Sequence, residues 1–114
     1  MINLSIVIPC YNEEKNIPLL LNDFDFIYKS NKFELILVDN GSNDNSWEIL
    51  NSYLAKYKFL KILRIKKNLG YGNGIIKGLS MAKGKYCGWT HADLQNDIND
   101  ILKAYKKIEE ANFP

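Results

Sequence analysis

The chain has 114 residues, enough for one domain that buries about two-thirds of the surface its unfolded form exposes. Hydrophobic residues make up 46% and charged residues 25%, which excludes a disordered tail, and the apolar runs are too short to cross a bilayer. The net charge of +2 and a single arginine, Arg64, argue against a nucleic-acid-binding protein.

The cysteines and the first residues bear on the compartment. Cys10 and Cys87 are not spaced as a CxxC pair and lie within or at the end of apolar runs, so we expect buried free thiols in a reducing environment. No cationic, apolar leader precedes the first strand pattern. These features predict a cytoplasmic protein.

Four apolar runs are predicted to be β-strands, and each is followed by polar, loop-forming residues. The runs are residues 6–8, 33–39, 60–66 and 86–90. The second run is nearly continuous in apolar residues, which is typical of a central parallel strand that is covered on both faces.

Four segments with helical spacing alternate with these runs. The first is predicted to end near Asn31, and Asn45 followed by Glu48 resembles a capping box that starts the second. The third is predicted to follow a glycine-rich loop at residues 68–74, and the fourth to start at Asp97.

The order β-α-β-α-β-α-β-α predicts an α/β fold. We expect one domain over residues 1–114, a Rossmann-like parallel sheet of about four strands with helices on both faces. A flavodoxin-like receiver and a dinucleotide-binding domain share this alternation, so the order alone does not identify the chemistry. Ligands of such sheets bind at the carboxyl ends of the strands, and the candidate site is therefore sought there.

Asp39 ends the second run and is followed by Asn40, Gly41 and Ser42, a segment that can turn sharply. A carboxylate at this place can accept hydrogen bonds from a ribose or a base N–H, or lie near a metal. A purely structural Asx turn or helix cap is an equally weighted alternative. For Asp44, a helix cap is the favoured interpretation.

Gly70, Gly72 and Gly74 are predicted to lie immediately before a helix, where backbone N–H groups can meet phosphate oxygens. Their spacing matches neither the P-loop nor the usual dinucleotide fingerprint. Close packing of the helix on the sheet explains such glycines equally well.

His91 and Asp93 follow the fourth run and are two residues apart, so an extended chain directs both side chains to the same side. Imidazole and carboxylate groups are metal ligands. A lone histidine in a loop is nevertheless more often solvated or hydrogen-bonded than bound to a metal.

Four segments, taken together and in this order, resemble the nucleotide-sugar-binding half of the inverting family 2 glycosyltransferases. This GT-A fold group includes dolichyl-phosphate mannose synthase-like enzymes. The segments are residues 5–14, 37–46, 68–78 and 89–95, and they span almost the whole chain. The resemblance implies a UDP- or GDP-sugar donor, a polyprenyl-phosphate or glycan acceptor, peripheral membrane association of the full-length protein, and a role in cell-envelope glycan biosynthesis.

The resemblance also implies roles for single residues near the nucleoside. Pro9, Tyr11 and Glu13 would border the nucleoside, and Asp39 would hold the base or the ribose.

Further residues would contact the rest of the donor. The resemblance places there Asn68, Gly70, Gly72 and Ala92. Asp93 matches the last Asp of the family's D-x-D motif and His91 the first position, so these two would bind Mn²⁺ or Mg²⁺ at the departing diphosphate.

Two positions depart from the family pattern. His91 stands where the D-x-D motif begins, and Asn40 stands where Asp is frequent after Asp39. Both changes remove a carboxylate, which predicts a preference for Mn²⁺ over Mg²⁺ or a weak metal dependence.

No catalytic residue is assigned, because the resemblance places the general base and the acceptor-binding half beyond Pro114. We therefore expect the chain to bind its donor but to transfer sugar poorly alone. An apolar face left uncovered by the second half would favour a homodimer. The alternative hypotheses are a non-catalytic assembly module with a vestigial crevice and, less favoured, a phosphate-accepting receiver domain.

Overall fold

The computed structural model describes residues 2–28, 32–92 and 98–110. Its elements, in chain order, are β1 (Leu4–Cys10), α1 (Ile17–Tyr28), β2 (Phe33–Asn40), α2 (Ser46–Tyr53), β3 (Leu60–Ile65), α3 (Tyr71–Leu79), β4 (Tyr86–Trp89) and α4 (Ile98–Glu110). This strict alternation confirms the predicted α/β fold.

The four strands form one parallel sheet in the order β3-β2-β1-β4. Every residue of β2 is buried, which confirms its predicted central position. The register sets Cys10 of β1 beside Asp39 of β2, and Asp39 beside Arg64 of β3. The carboxyl ends of the strands therefore meet at one edge of the sheet.

Helices cover both faces of the two central strands. The larger core contains Phe24 of α1, Leu50 of α2 and Tyr105 of α4. On the other face α3 packs closely on β1 and β2. This approach requires Gly78, because a Cβ there would overlap a methyl group of Val7 and lie 3.0 Å from Val38 Cγ2.

A buried carboxylate, Glu34, connects several elements at the amino ends of the strands. It accepts hydrogen bonds from Ser5 Oγ at 2.5 Å and from the Lys83 backbone N–H at 2.6 Å, and pairs with Lys61 Nζ at 2.5 Å. Burial raises the pKa of the Glu34 carboxyl, but the hydrogen bonds from Lys61, Ser5 and Lys83 together hold it below its ordinary value. Ser5 Oγ also accepts from the Gly84 N–H at 2.8 Å, so this network anchors the turn before β4.

The prediction that both cysteines are buried is wrong for Cys87. Cys10 is buried, whereas Cys87 is exposed. Within the described residues β4 pairs with β1 alone, and the register places Cys87 and Trp89 on the α3 face of the sheet. Because α3 packs over β1 and β2, it leaves this face of the edge strand uncovered.

Several predicted boundaries also shift. The helix α3 starts at Tyr71, so Gly72 and Gly74 lie inside its first turns and not before it. Asn45 occupies the N-cap position of α2, but its side chain makes no capping hydrogen bond. The predictions at Asn31 and Asp97 lie outside the described residues. Within the described ranges, no helix combines the length and apolar character needed to span a membrane.

Candidate functional site

Hydrogen bonds join the loop after β1 to the loop after β2. Asn12 Oδ1 accepts from the backbone N–H groups of Asn43 at 2.8 Å and Asp44 at 3.3 Å, while the Asn12 N–H donates to Ser42 Oγ at 2.9 Å. Asn12 adopts the left-handed backbone conformation, with φ of 54°. Asparagine tolerates this conformation better than most residues, so Asn12 is suited to this turn.

Asp44 continues this connection at the start of α2. Its Oδ1 accepts from Ser46 N at 2.9 Å and from Ser46 Oγ at 2.6 Å, so Asp44 supports the start of α2 from the position before the N-cap residue, Asn45, and not from the cap position itself. Ser46 Oγ in turn accepts from the Glu13 N–H at 3.0 Å. Burial raises the pKa of Asp44, but the hydrogen bonds from Ser46 and Glu14 outweigh that effect and hold it below its ordinary value.

The residues predicted to border the nucleoside differ in accessibility. Pro9 is buried and lies under Gly74 of α3. Tyr11 is 39% exposed, and its hydroxyl accepts from Asn43 Nδ2 at 3.3 Å. Glu13 is half-buried and its Oε2 accepts from Asn16 Nδ2 at 2.7 Å, so its carboxylate already supports the start of α1.

A polar cleft of about 260 Å³ opens beside this turn. It is lined by Asn12, Glu13, Glu14, Lys15, Asn16 and Asp44. Of the predicted site residues only Glu13 lines it, so the cleft lies to one side of the strand ends at Asp39 and His91.

Asp39 is buried at the end of β2 and uses its two oxygens differently. Oδ1 accepts from the Ser42 N–H at 3.1 Å, which closes an Asx-type turn. Oδ2 is also buried and has no hydrogen-bond partner within the described ranges; Arg64 Nε lies 3.8 Å away. The structural interpretation of Asp39 therefore accounts for one oxygen, and the other remains able to accept a hydrogen bond.

Asn40 connects the end of β2 to the loop before α3. Its Nδ2 donates to Asn68 Oδ1 at 3.2 Å and to the Gly70 carbonyl at 3.1 Å, and Asn68 Oδ1 also accepts from the Gly70 N–H at 2.8 Å. The amide that replaces the family's frequent carboxylate thus holds the loop in place. Asn68, predicted to contact the donor, shares in the same network.

The three glycines predicted to contact phosphate fall into two groups. A Cβ at Gly74 would lie 3.3 Å from Pro9 Cβ and 3.6 Å from Asn40 Nδ2, so Gly74 permits close packing. At Gly70 and Gly72 a Cβ would meet no atom within 4 Å, and Gly70 has φ of 95°. The backbone at the start of α3 is therefore open to a ligand at Gly70 and Gly72.

His91 lies beyond the end of β4 between two aromatic side chains. Its ring centroid is 5.3 Å from that of Tyr71 and 5.2 Å from that of Trp89, with nearly perpendicular planes in both pairs. His91 is half-buried and Ala92 is buried. Asp93, the other predicted metal ligand, lies outside the described residues.

The described ranges do not form a metal centre by themselves. No three His, Cys, Asp or Glu side chains within residues 2–28, 32–92 and 98–110 come close enough to share an ion. Of the two predicted ligands only His91 is among these residues, and its ring packs against Tyr71 and Trp89. The metal assignment consequently depends on Asp93 and stays a prediction.

Cys10 takes no part in the candidate chemistry. Burial, reinforced by the nearby negative charges of Glu13 and Asp39, raises the pKa of its thiol far above the ordinary value of 9.0. The thiol stays protonated at neutral pH and is a poor nucleophile, in agreement with the sequence analysis.

Comparison with known sequences decides the family. The sequence model described as Glycosyl transferase family 2 matches residues 5–113. The chain belongs to glycosyltransferase family 2. A dolichyl-phosphate beta-glucosyltransferase from Dictyostelium discoideum is 32% identical over 96% of the chain, but the match spans 37% of that protein. The chain spans between about a third and a half of the length of the curated relatives that it resembles.

Solved structures agree with this family 2 assignment. One such structure is S. aureus TarS 1-349 in complex with UDP-GlcNAc. The match covers 96% of the present chain and 32% of the TarS chain, with a TM-score of 0.79 and 28% sequence identity. Another is the mannosyltransferase PcManGT from Pyrobaculum calidifontis in complex with GDP-Man and Mn²⁺. The match covers 93% of the present chain and 32% of the PcManGT chain, with a TM-score of 0.80 and 22% sequence identity. The second likeness supports the GT-A fold alone.

Sequence reasoning did not identify three side chains at this edge of the sheet. Arg64 lies beside Asp39 and its guanidinium group stacks over the Trp47 ring at 5.4 Å. The Trp89 ring packs nearly perpendicular to the His91 ring. Arg64 and Asp39 come together through the register of β2 and β3, which no local motif specifies. For Trp89, its position two residues before His91 is a local signal that could have been used.

Proposed function

We propose that this family 2 chain is the donor-binding domain of an inverting glycosyltransferase. The donor would be a UDP- or GDP-sugar, bound at the carboxyl edge of the sheet between the ends of β1, β2 and β4. This assignment is supported by the family match over residues 5–113 and by the position of Asp39 at that edge.

One observation carries the proposal most directly. Asp39 Oδ2 is fully buried and lacks a hydrogen-bond partner among the described residues, with Arg64 Nε 3.8 Å away, although the other oxygen of the same carboxylate is satisfied. A buried acceptor without a partner is costly, and a donor group on a ligand removes that cost. The base N–H or a ribose hydroxyl of a nucleotide supplies such a group.

The start of α3 supports the placement of the diphosphate. The backbone is bare at Gly70 and Gly72, and the first turn of a helix has N–H groups without partners inside the helix. Lys66 and Lys67 are exposed at the end of β3 and add positive charge nearby. Tyr11 and Glu13 would border the nucleoside from the loop after β1, with Pro9 beneath α3 as part of the wall.

His91 and Asp93 are the residues that would hold a divalent ion, and the imidazole favours Mn²⁺ over Mg²⁺. When bound, such an ion neutralises charge on the departing nucleoside diphosphate. Asn40 and Asn68 act without the ion, because their hydrogen bonds fix the loop against which the donor would lie.

The acceptor is proposed from the relatives. Curated relatives named for dolichyl-phosphate suggest a polyprenyl phosphate, with a glycan as the second candidate and cell-envelope glycan biosynthesis as the process. Peripheral association with the inner face of the membrane, a cytoplasmic location and a homodimer belong to the same proposal. We assign the general base to none of the described residues, so transfer by this chain alone is expected to be weak.

Titration calorimetry with UDP and GDP, in Mn²⁺ and in Mg²⁺, tests the donor site. Asp39→Asn keeps an oxygen for the Ser42 N–H but removes the second acceptor, and we expect the affinity for the bound nucleotide to fall about tenfold or more. Phe26→Ala, an exposed ring on α1, is the matched control and should leave the affinity unchanged. Equal affinities for Asp39→Asn and the unsubstituted chain would contradict the proposal.

The second candidate is a non-catalytic assembly module with a vestigial crevice, favoured by the missing carboxylates at Asn40 and His91. Under the donor-site proposal Asp93→Ala abolishes the metal-dependent part of nucleotide binding. Under the alternative, the unsubstituted chain shows no such part, and Asp93→Ala changes nothing.

A further inference from the structure

The charged residues are unevenly distributed along the sequence. Residues 49–92 contain nine lysine and arginine residues and no aspartate or glutamate, so all thirteen acidic residues of the chain lie outside this segment. The rest of the chain contains only six lysines. The net charge of +2 therefore combines a basic segment with an acidic remainder, and such a separation creates a field that the net charge alone does not indicate.

The topology gathers much of the basic segment on one face of the molecule. Residues 49–92 include β3 and β4, the outer strands of the described sheet, and α3, which crosses between them over β1 and β2. The outer surface of α3 and of the loops at its two ends, residues 66–85, is here called the α3 face. Its exposed lysines are Lys66, Lys67, Lys77, Lys83 and Lys85.

Carboxylates do not offset these charges. Glu34 lies at the border of the α3 face, but it is buried, accepts from the Lys83 backbone N–H and pairs with Lys61. Its charge is therefore compensated inside the protein. The opposite face of the sheet is covered by α1, α2 and α4, whose exposed acidic residues include Asp23, Glu48, Asp100 and Glu110.

The α3 face also presents aliphatic side chains to solvent. Gly74 and Gly78 are the buried residues of α3, and Ile76, midway between them, lies on the outer side of the helix and is 68% exposed. Leu79 is 38% exposed, and Leu69 in the loop before α3 is 63% exposed. A surface helix normally buries its large aliphatic side chains. Because α3 packs through glycines, its outer surface instead combines aliphatic side chains with lysines.

This combination fits an anionic lipid surface better than other polyanions. Acidic headgroups attract ammonium groups, and the boundary between the headgroups and the acyl chains accepts aliphatic side chains. A nucleic acid offers phosphates but is read mainly by arginine and polar side chains, and residues 66–85 contain no arginine. Exposed aliphatic side chains would add nothing to phosphate binding.

We infer that the α3 face docks on an anionic lipid surface. Lys77 and Lys83 would lie against the phosphates of the headgroups, and Ile76 and Leu79 at the boundary with the acyl chains. This inference rests on the proposed function for the presence of a membrane, and it deepens that proposal because it names the surface of the chain that meets the lipid.

Vesicle sedimentation with two lipid compositions tests the inference. We expect the chain to bind vesicles of mixed phosphatidylcholine and phosphatidylglycerol but not vesicles of phosphatidylcholine alone. Raising NaCl from about 0.05 to about 0.5 M should release it, because salt screens the attraction. Lys77→Gln and Lys83→Gln should each weaken binding about fivefold, and Ile76→Ser should do so to a similar degree. Equal binding to both kinds of vesicle, or to neither, would overturn the inference.

Matched controls lie on the opposite side of the molecule. Lys106→Gln removes an exposed charge from α4, and Phe26→Ser removes a ring on α1 that is 82% exposed. Both should change vesicle binding less than twofold. Circular dichroism checks that each variant is folded, and the two lysine variants keep the test valid if Ile76→Ser is not. Controls that weaken binding as much as the α3-face variants would refute a contact through this face.

Titration of the same variants with UDP and GDP separates the inference from the donor site. We expect Lys77→Gln and Ile76→Ser to leave nucleotide affinity unchanged. Nucleotide binding without vesicle binding would overturn the lipid inference alone, whereas vesicle binding without nucleotide binding would overturn the donor-site proposal alone.

A short DNA duplex serves as the competing polyanion. We expect it to bind more weakly than the anionic vesicles at the same salt concentration, because it offers no place for the aliphatic side chains. If the duplex binds at least as tightly, and Lys77→Gln weakens that binding while Ile76→Ser does not, the α3 face recognises nucleic acid and the inference is wrong.

Discussion

At the end of β2, polar side chains direct their hydrogen bonds inward, whereas at the end of β4 aromatic rings lie open to solvent. Asn40 and Asp39 are buried and bonded to neighbouring loops, and one oxygen of each has no hydrogen-bond partner within the described part of the chain. Tyr71 and Trp89 lie at the same edge of the sheet with about half of each side chain exposed. The two strand ends thus contribute a rigid frame and an open surface.

The difference shows that polar residues of a motif at a strand end need not all be available to contact a ligand. Around the end of β2 many hydrogen-bonding groups of the motif satisfy one another, but two buried oxygens, Asp39 Oδ2 and Asn40 Oδ1, have no hydrogen-bond partner among the described residues. A frame of this kind preorganises a site, because little has to be ordered when the ligand arrives. Three substitutions, at Gly41, Asn40 and Asp44, test this hydrogen-bonded framework of the loops after β1, β2 and β3, and they follow in order of decreasing expected effect.

Gly41→Ala should be the most damaging of these changes. Gly41 has φ of 74°, and a Cβ there would lie 2.7 Å from the Asn68 backbone nitrogen. We expect unfolding free energy to fall by about 3 kcal/mol, measured by urea denaturation, because strain and a backbone clash add. Gly72→Ala is the control: its Cβ enters open space within a helix, and stability should rise by about 0.5–1 kcal/mol. Similar effects at both positions would refute the distinction.

Asn40→Asp should have the next largest effect. A carboxylate oxygen in place of Nδ2 would face the Gly70 carbonyl and Asn68 Oδ1, two acceptors now 3.1 and 3.2 Å from the donor. We expect a loss of about 2 kcal/mol at pH 7. The same change at Asn43, whose Nδ2 meets only the Tyr11 hydroxyl among the described contacts, should cost less than about 0.5 kcal/mol, because that hydroxyl can donate instead. If both variants unfold alike, Asn40 does not hold the loop.

Asp44→Asn should produce the smallest effect, about 1 kcal/mol at pH 7, and a change in pH dependence. The pKa of Asp44 is lowered in the folded protein, so its contribution is complete above the ordinary value of 3.8 and is lost as the pH falls through the folded pKa. Urea denaturation between about pH 5 and pH 2.5 should show a shallower decline for Asp44→Asn than for the unsubstituted chain. Asn45→Ala, at a cap position without a capping bond, should retain the full decline.

Local sequence patterns predicted the sheet, because the spacing of apolar residues and the residue composition of a strand or helix can be recognised within that element alone. The unbroken apolar run of β2 and the alternation of strands and helices needed no long-range information. The start of α3 was missed because glycine is a poor helix former, yet close packing of Gly74 and Gly78 on the sheet overrides that propensity.

Predictions of the site were limited by contacts between distant segments. The exposure of Cys87 follows from the strand order, which places β4 last among the strands of the described residues, and the roles of Asn40 and Arg64 follow from register and loop position. Residues adjacent in the sequence do not determine any of these features. Asp39 was predicted to be either structural or ligand-binding; the structural role is confirmed for one oxygen, and the second role stays a prediction.

The position of β1 between β2 and β4 also affects how the chain reaches its fold. The strand that comes first in the sequence pairs on one side with residues 33–39 and on the other with residues 86–89. Contacts of high sequence separation form slowly, because a long loop must close before they contribute. During synthesis, one edge of the apolar β1 strand therefore stays unpaired until β4 has been made, and in that interval the nascent chain is exposed to misassociation.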